Sequence, residues 1–289
     1  MERGSIKYIF AFILIFSASS CEKEVKQARL PTFEQKLVIA SFISPSDSTC
    51  FITVSSNRRL YGDLSAFESP GSLSGTISDG YTTLVLDSAL KGLKFTNSKI
   101  RTEPGKTYRL KVMSDKGLAA EGECTVPQQR DFMIKADTFS VLHAVPGYNT
   151  WREFNIDISF NDFPGEVNYF RLNGTFTGYL TPEEPGNFEI VRRQLLFSRE
   201  LFTDKEADSE SVIKSSTGLA QSFSYYDSAF IKIYLMNTEK SYYLYHKSIE
   251  DYDSGDDPFS EVTPVYSNIT GGLGVFTSFT VDSLIFRIK

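Results

Sequence analysis

Pro104-Gly105-Lys106-Thr107-Tyr108-Arg109-Leu110-Lys111-Val112-Met113 is the stretch on which the fold turns. Pro-Gly-Lys is a turn signal, and the residues after it alternate strictly. Tyr108, Leu110 and Val112 share one parity, Arg109 and Lys111 the other. Successive side chains of a strand leave on opposite faces, so this pattern predicts a strand with one buried and one wet face. Asp115-Lys116-Gly117 is the next turn, Leu118 to Val126 the return strand, and Pro127 its end. Upstream, Lys36 to Ile43 and Thr49 to Ser55 read as strands, and Ser74 to Ser78 and Thr82 to Leu86 flank the hairpin-type dipeptide Asp79-Gly80. About seven short strands at regular spacing predict an antiparallel sandwich over residues 36–127.

A second β-rich region is expected over residues 128–289. Phe132 to Val145, Arg152 to Phe160, Asn168 to Tyr179, Glu189 to Phe197 and Ala229 to Met236 are strand-like, and Thr280 to Ile288 is the expected last strand. Thr203 to Ser216 is charged and weakly periodic, which predicts a loop. From Thr238 to Tyr252 the period changes. Tyr242, Tyr245, Ile249 and Tyr252 recur at helical offsets, Thr238 is placed to cap, and Glu239 sits at the positive end. The fold class is therefore mainly β: an immunoglobulin- or transthyretin-like sandwich, then a second β-rich domain with one helix near the C-terminus.

The N-terminus concerns address. Arg3 and Lys7 precede a nine-residue apolar run, Tyr8 to Phe16, then Ser17-Ala18-Ser19-Ser20 and Cys21. The run is too short for a bilayer span and reads as a signal-peptide core. Small residues before a cysteine resemble a lipobox, so residues 1–20 are expected to be removed and Cys21 to carry lipid, palmitate included. Residues 21–35 are a polar tether. The charged Glu22-Lys23-Glu24 resembles signals that send some lipoproteins to the cell surface. The expected location is the cell envelope, lipid-anchored at the outer membrane, with the inner leaflet and the exposed cell surface both left open by the sequence. A formal charge of −6 without basic clusters argues against nucleic acid as partner. With Cys21 lipidated, Cys50 and Cys124 remain. Both have inward parity, and the sequence leaves open a disulfide between them or two separate buried thiols.

Candidate chemistry is sparse. Two histidines, His143 and His246, cannot make a zinc site, and neither lies in a nucleophile pattern. No catalytic residue and no cofactor is expected. Asp251, Asp253, Asp256 and Asp257 gather carboxylates around Gly255, a weak calcium candidate that lacks the EF-hand spacing; the alternative is a solvated loop. Gly271, Gly272 and Gly274, beside Tyr266 and Asn268, are either a partner-contact edge or glycines that the fold itself needs for positive φ or close approach.

A family resemblance rests on several blocks: L-V-I-A-S-F-I from Leu37, P-G-K-T-Y-R-L-K-V from Pro104, G-E-C-T-V-P from Gly122, N-D-F-P-G-E-V-N-Y-F-R-L from Asn161, E-K-S-Y-Y-L-Y from Glu239, and Pro258 to Phe276. Together they resemble the Bacteroidota lipoproteins grouped as domain of unknown function 4249. The resemblance implies a two-part β protein whose genes commonly lie beside TonB-dependent outer-membrane transporters. It thus implies a non-enzymatic accessory that captures ligand or covers the barrel. It supplies no catalytic residues. The alternative is a structural or adhesive surface lipoprotein that binds another macromolecule.

Overall fold

The computed structural model describes residues 32–59, 69–89, 94–97, 100–143, 151–161, 163, 165–180, 189–206, 212–221, 226–253 and 264–288. The segment read as a signal peptide, Cys21, Asp256 and Asp257 lie outside these residues, as do residues 258–263 of the block from Pro258. The chain divides into two compact units. In the smaller, residues 1–34 and 59–64, the Arg59 guanidinium stands 5.0 Å from the centre of the Phe33 ring. The larger, residues 35–58 and 65–289, holds the sheets.

The protein is mainly β, with a single α-helix among the described residues. The strands of its first half are β1 (Leu37–Ile43), β2 (Cys50–Ser56), β3 (Leu73–Ser78), β4 (Thr83–Val85), β5 (Asp87–Ala89), β6 (Lys94–Asn97), β7 (Thr107–Ser114) and β8 (Ala119–Thr125). The second half contributes β9 (Lys135–His143), β10 (Trp151–Asn161), β11 (Tyr169–Leu180), β12 (Glu189–Leu195), β13 (Leu201–Thr203), β14 (Val212–Gln221), β15 (Ser228–Thr238), the helix α1 (Lys240–Asp253) and β16 (Leu273–Arg287).

The strand after Pro104-Gly105 behaves as its alternation requires. Tyr108, Leu110 and Val112 are almost fully buried, while Arg109 and Lys111 face outward and pair with Glu123 and Glu121 across the β7–β8 ladder. The Tyr108 hydroxyl accepts from the Glu103 N–H at 2.9 Å and donates to the Arg101 carbonyl at 3.2 Å. Such a bond back to the upstream backbone also marks immunoglobulin-type corners. The sheet β4-β3-β7-β8 shares one core cluster with β1 and β2, in which Leu37, Ile39, Ile52 and Val54 meet Ile77, Leu110 and Val112. This is the sandwich. Cys50 and Cys124 sit in the same cluster, and in the structure both are free thiols.

The larger sheet runs β12-β11-β15-β16-β1-β2-β6-β5. Its continuity depends on β16. Leu273 to Ser278 pair with β1 in parallel, and Phe279 to Arg287 pair with β15 antiparallel. One strand is thus shared by the first core and by a second, built from the three-stranded sheet β14-β10-β9 and the inner face of β11 and β15. Phe132, Phe160 and Phe170 anchor that second core with edge-on ring contacts.

Three local expectations are corrected. The last strand begins at Leu273, not Thr280, because Gly272 and Gly274, without side chains, let β16 run flush against the β1 backbone. The predicted loop from Thr203 is interrupted: Val212 to Gln221 form β14, paired with β10 along its whole length. Its inward residues include Ser215 and Thr217, whose hydroxyls donate to the carbonyls of Arg199 and Leu196. Polar side chains that satisfy backbone leave no hydrophobic period to read. Finally, Thr238 ends β15 and its hydroxyl donates to the Tyr169 carbonyl. The residue at the helix entry is Glu239, whose carbonyl accepts from the N–H groups of Tyr242 and Tyr243.

Candidate functional site

On β11 the side chains of Phe170, Leu172 and Phe176 enter the second core. The intervening residues Tyr169, Arg171, Asn173, Thr175, Thr177 and Tyr179 face the other way. The strand register sets their neighbours. Thr175 lies opposite Gln194 and Lys232, Thr177 opposite Arg192 and Phe230, and Asn173 opposite Tyr234. Ser283 and Ile285 continue these rows on β16. The helix α1 covers one end of this outer face. There Tyr243 stacks beside Tyr169, and Tyr242 packs edge-on against Phe42 and Phe279.

No described residue covers the rest of the face, which is shallowly concave. A cavity of about 410 Å³ lies over Asn173, Gln194, Tyr234, Met236 and Val281. One of about 450 Å³ lies over Thr177, Tyr179, Phe230, Lys232 and Ile285. The two adjoin, sharing Thr175, Arg192 and Tyr234, and both open to solvent. Apolar surface is unusually high for an open sheet face: Ile285 is 63% exposed, and Tyr179 packs edge-on against Phe230. The Lys232 ammonium stands 4.7 Å from the centre of the Tyr234 ring. Among the described residues, no carboxylate lines either cavity.

At the covered end, Arg171 Nη1 donates to the Tyr242 hydroxyl at 3.2 Å and meets His246 Nδ1 at 3.3 Å. Arg171 Nε is buried without a hydrogen-bond partner. Burial, and then the nearby guanidinium, pull the His246 pKa down to about 4. The neutral ring therefore accepts from Arg171 through Nδ1 and keeps its proton on Nε2. An unfolded His246 titrates near 6.5, so between pH 6.5 and 4 the unfolded chain binds the extra proton and stability falls as pH falls. His246→Asn is expected to remove this part of the acid sensitivity, about 1 kcal/mol after solvent screening of a half-buried ring. Urea denaturation at pH 7 and 4.5 checks it; equal pH dependence in both proteins would refute it.

Glu239 works in the opposite sense. Burial raises its carboxyl pKa above the usual range although the Thr125 N–H and the hydroxyls of Ser241 and Thr277 donate to it. Its contribution is present at low pH and is lost as pH rises through the folded pKa. These bonds tie the helix entry to β8 and β16.

The residues singled out from sequence fall elsewhere. Asn268 imitates a strand partner: its amide nitrogen donates to the Phe276 carbonyl at 2.7 Å and its oxygen accepts from the Phe276 N–H at 3.0 Å. The Tyr266 N–H donates to Ser248 on α1. Thr270 exchanges both backbone bonds with Glu121 on β8. Gly271 and Gly274 have φ of 74° and 99°. A Cβ on Gly272 would stand 2.7 Å from the Leu37 carbonyl oxygen. The structure thus brings Tyr266, Asn268, Gly271, Gly272 and Gly274 together as a clasp joining β8, α1 and β16. Asp251 pairs with Lys247 at 3.1 Å, and Asp253 is the last helical residue. Burial pushes the Cys50 thiol up to about 12, with the charge of Asp47 adding to it, and burial also raises Cys124 well above the ordinary value. Both are protonated and poor nucleophiles at neutral pH.

The open face is hard to see in the sequence because Ala229 to Met236 is apolar at both parities and reads as an interior strand. The signal it does carry is its second parity, Phe230, Lys232, Tyr234 and Met236, with rings and a cation rather than aliphatic residues.

A family model described as Domain of unknown function (DUF4249) matches residues 22–285. No curated protein matches the chain.

Proposed function

The chain belongs to the family described as Domain of unknown function (DUF4249), and from that premise and its open sheet face we propose that it is a non-enzymatic binding lipoprotein of the cell envelope. It would be held at the outer membrane through lipid on Cys21 and would serve a TonB-dependent transporter by capturing ligand at the barrel. The observation that carries the binding half is the outer face of β12-β11-β15-β16, which no described residue covers beyond the end under α1. It bears tyrosine, phenylalanine, amide and cationic side chains where solvation alone would favour small polar residues. The partly covered His246 is engaged by Arg171 through Nδ1 and packed against the Tyr242 ring, which supports recognition over proton transfer. The transporter half rests on the genomic company that the family resemblance implies.

Affinity purification of the full chain from outer membranes in mild detergent tests it. A β-barrel in near-stoichiometric amount is the expected companion. A well-expressed, folded chain that emerges alone refutes the transporter role, and one that emerges with a different macromolecule favours a structural or adhesive surface protein.

A further inference from the structure

We propose that the open sheet face is a binding site for a small ligand that joins an anionic group, carboxylate or sulfonate in character, to a flat apolar ring. The inference deepens the ligand-capture reading and rests on it for its biological sense, though not for its test. Arg192 and Lys232 flank β11 on the same face, Arg192 opposite Thr177 and Lys232 opposite Thr175. Their strands are two ladder spacings apart, about 10 Å. Both side chains are long enough to converge over the two threonines, whose hydroxyls add donors. Among the described residues neither cation has an ionic partner and no carboxylate lines either cavity, although the whole chain is acidic. A chain of net charge −6 that gathers cations on a partly apolar open surface, with no counter-charge among the described residues, has local complementarity for an anion.

The neighbours define the ring half of the ligand. Phe230, Tyr234 and Ile285 form an apolar floor beside the cations, and the Lys232 ammonium stands over the Tyr234 ring. The volume, about 450 Å³, suits one or two fused rings with their substituents. An aliphatic ligand would gain area from the same floor but not ring stacking, and an uncharged one would leave the two cations unanswered.

The test is isothermal titration of naphthalene-2-sulfonate into the full chain in an uncharged detergent. Saturable one-to-one binding is expected, weakened several-fold by 0.5 M salt because the cations are solvent-accessible. Arg192→Glu with Lys232→Glu should weaken it at least tenfold, and Phe230→Ala with Tyr234→Ala at least fivefold. Circular dichroism and melting verify that each variant is folded; the charge reversals lie on the solvent-facing side of the sheet and are expected to leave the melting midpoint unchanged. Absence of saturable binding, or binding unchanged by the charge reversal, overturns the site. Inorganic sulfate binding as tightly as the naphthalene compound overturns the ring component. A chain that binds the probe yet purifies without a barrel keeps the site and loses the transporter role, and the converse result does the reverse.

Discussion

Gly274→Ala is expected to cost about 4 kcal/mol or more, enough to unfold a typical domain of marginal stability. Two effects combine. At φ of 99° an L-residue is strained by about 1–2 kcal/mol. The larger effect is contact. The new Cβ would be driven into the carbonyl oxygen of Ile39, a backbone atom of a strand whose side chains are sealed in the first core. Ile39 is the register partner of Gly274 in the parallel β1–β16 ladder, so relief requires separating the two strands. Gly80→Ala isolates the contact effect. Its φ of 89° is comparable, but nothing lies within 4 Å of its Cβ position, and about 1–2 kcal/mol is expected. Denaturant titration of both variants measures the difference. Equal costs would sink the close-approach account.

That glycine shows where the sequence is readable and where it is not. Alternation is legible wherever one parity is apolar and the other charged, as at Tyr108, Leu110 and Val112 against Arg109 and Lys111. The helix is legible because Tyr242 and Tyr245 recur at its period, and Tyr242 packs as a core residue should, while Tyr252 ends exposed. The parallel pairing of the first and last strands has no local signal. Parallel partners are joined by no hairpin, and the glycine run that admits them looks like a turn. Strand β14 is hidden by its inward hydroxyls, and β5 and β6 by being short and polar. The clasp residues are unusual in sequence as well as in structure, but their geometry is spent on β1, β8 and β16. The candidate ligand face is illegible for the reason that makes it a candidate: apolar residues at both parities imply burial on both faces, and here only one is buried.

The sharing of β16 has an energetic consequence. Phe276, on its first half, is fully buried in the first core, while Leu284 and Phe286, on its second half, pack against the other. A strand cannot melt out of one core without losing hydrogen bonds that the other depends on. Residues 36–127 and 128–289 are read from sequence as separate regions, yet this geometry predicts that they unfold together.

Phe132→Ala tests that coupling. Phe132 is 1% exposed and meets Phe163 at 5.3 Å and Phe170 at 5.4 Å between ring centres, both edge-on. Its N–H donates to Asp282 of β16 at 3.2 Å, and its carbonyl accepts from Asn161 at 2.8 Å. Truncation removes the transfer energy of the ring and leaves a cavity that three surrounding rings cannot fill, a loss of about 3–5 kcal/mol. Two reporters separate the cores. Trp151, the single tryptophan, is the first residue of β10, a strand that contributes Ile156, Ile158 and Phe160 to the second. Cys50 and Cys124, buried in the first, react with thiol reagents only when it opens. In a urea titration both signals are expected to shift to the same lower midpoint in the variant. If tryptophan fluorescence shifts while the thiols stay protected to the original midpoint, the first core stands without the second. β16 would then be a contact between independent domains and not the strand that makes them one.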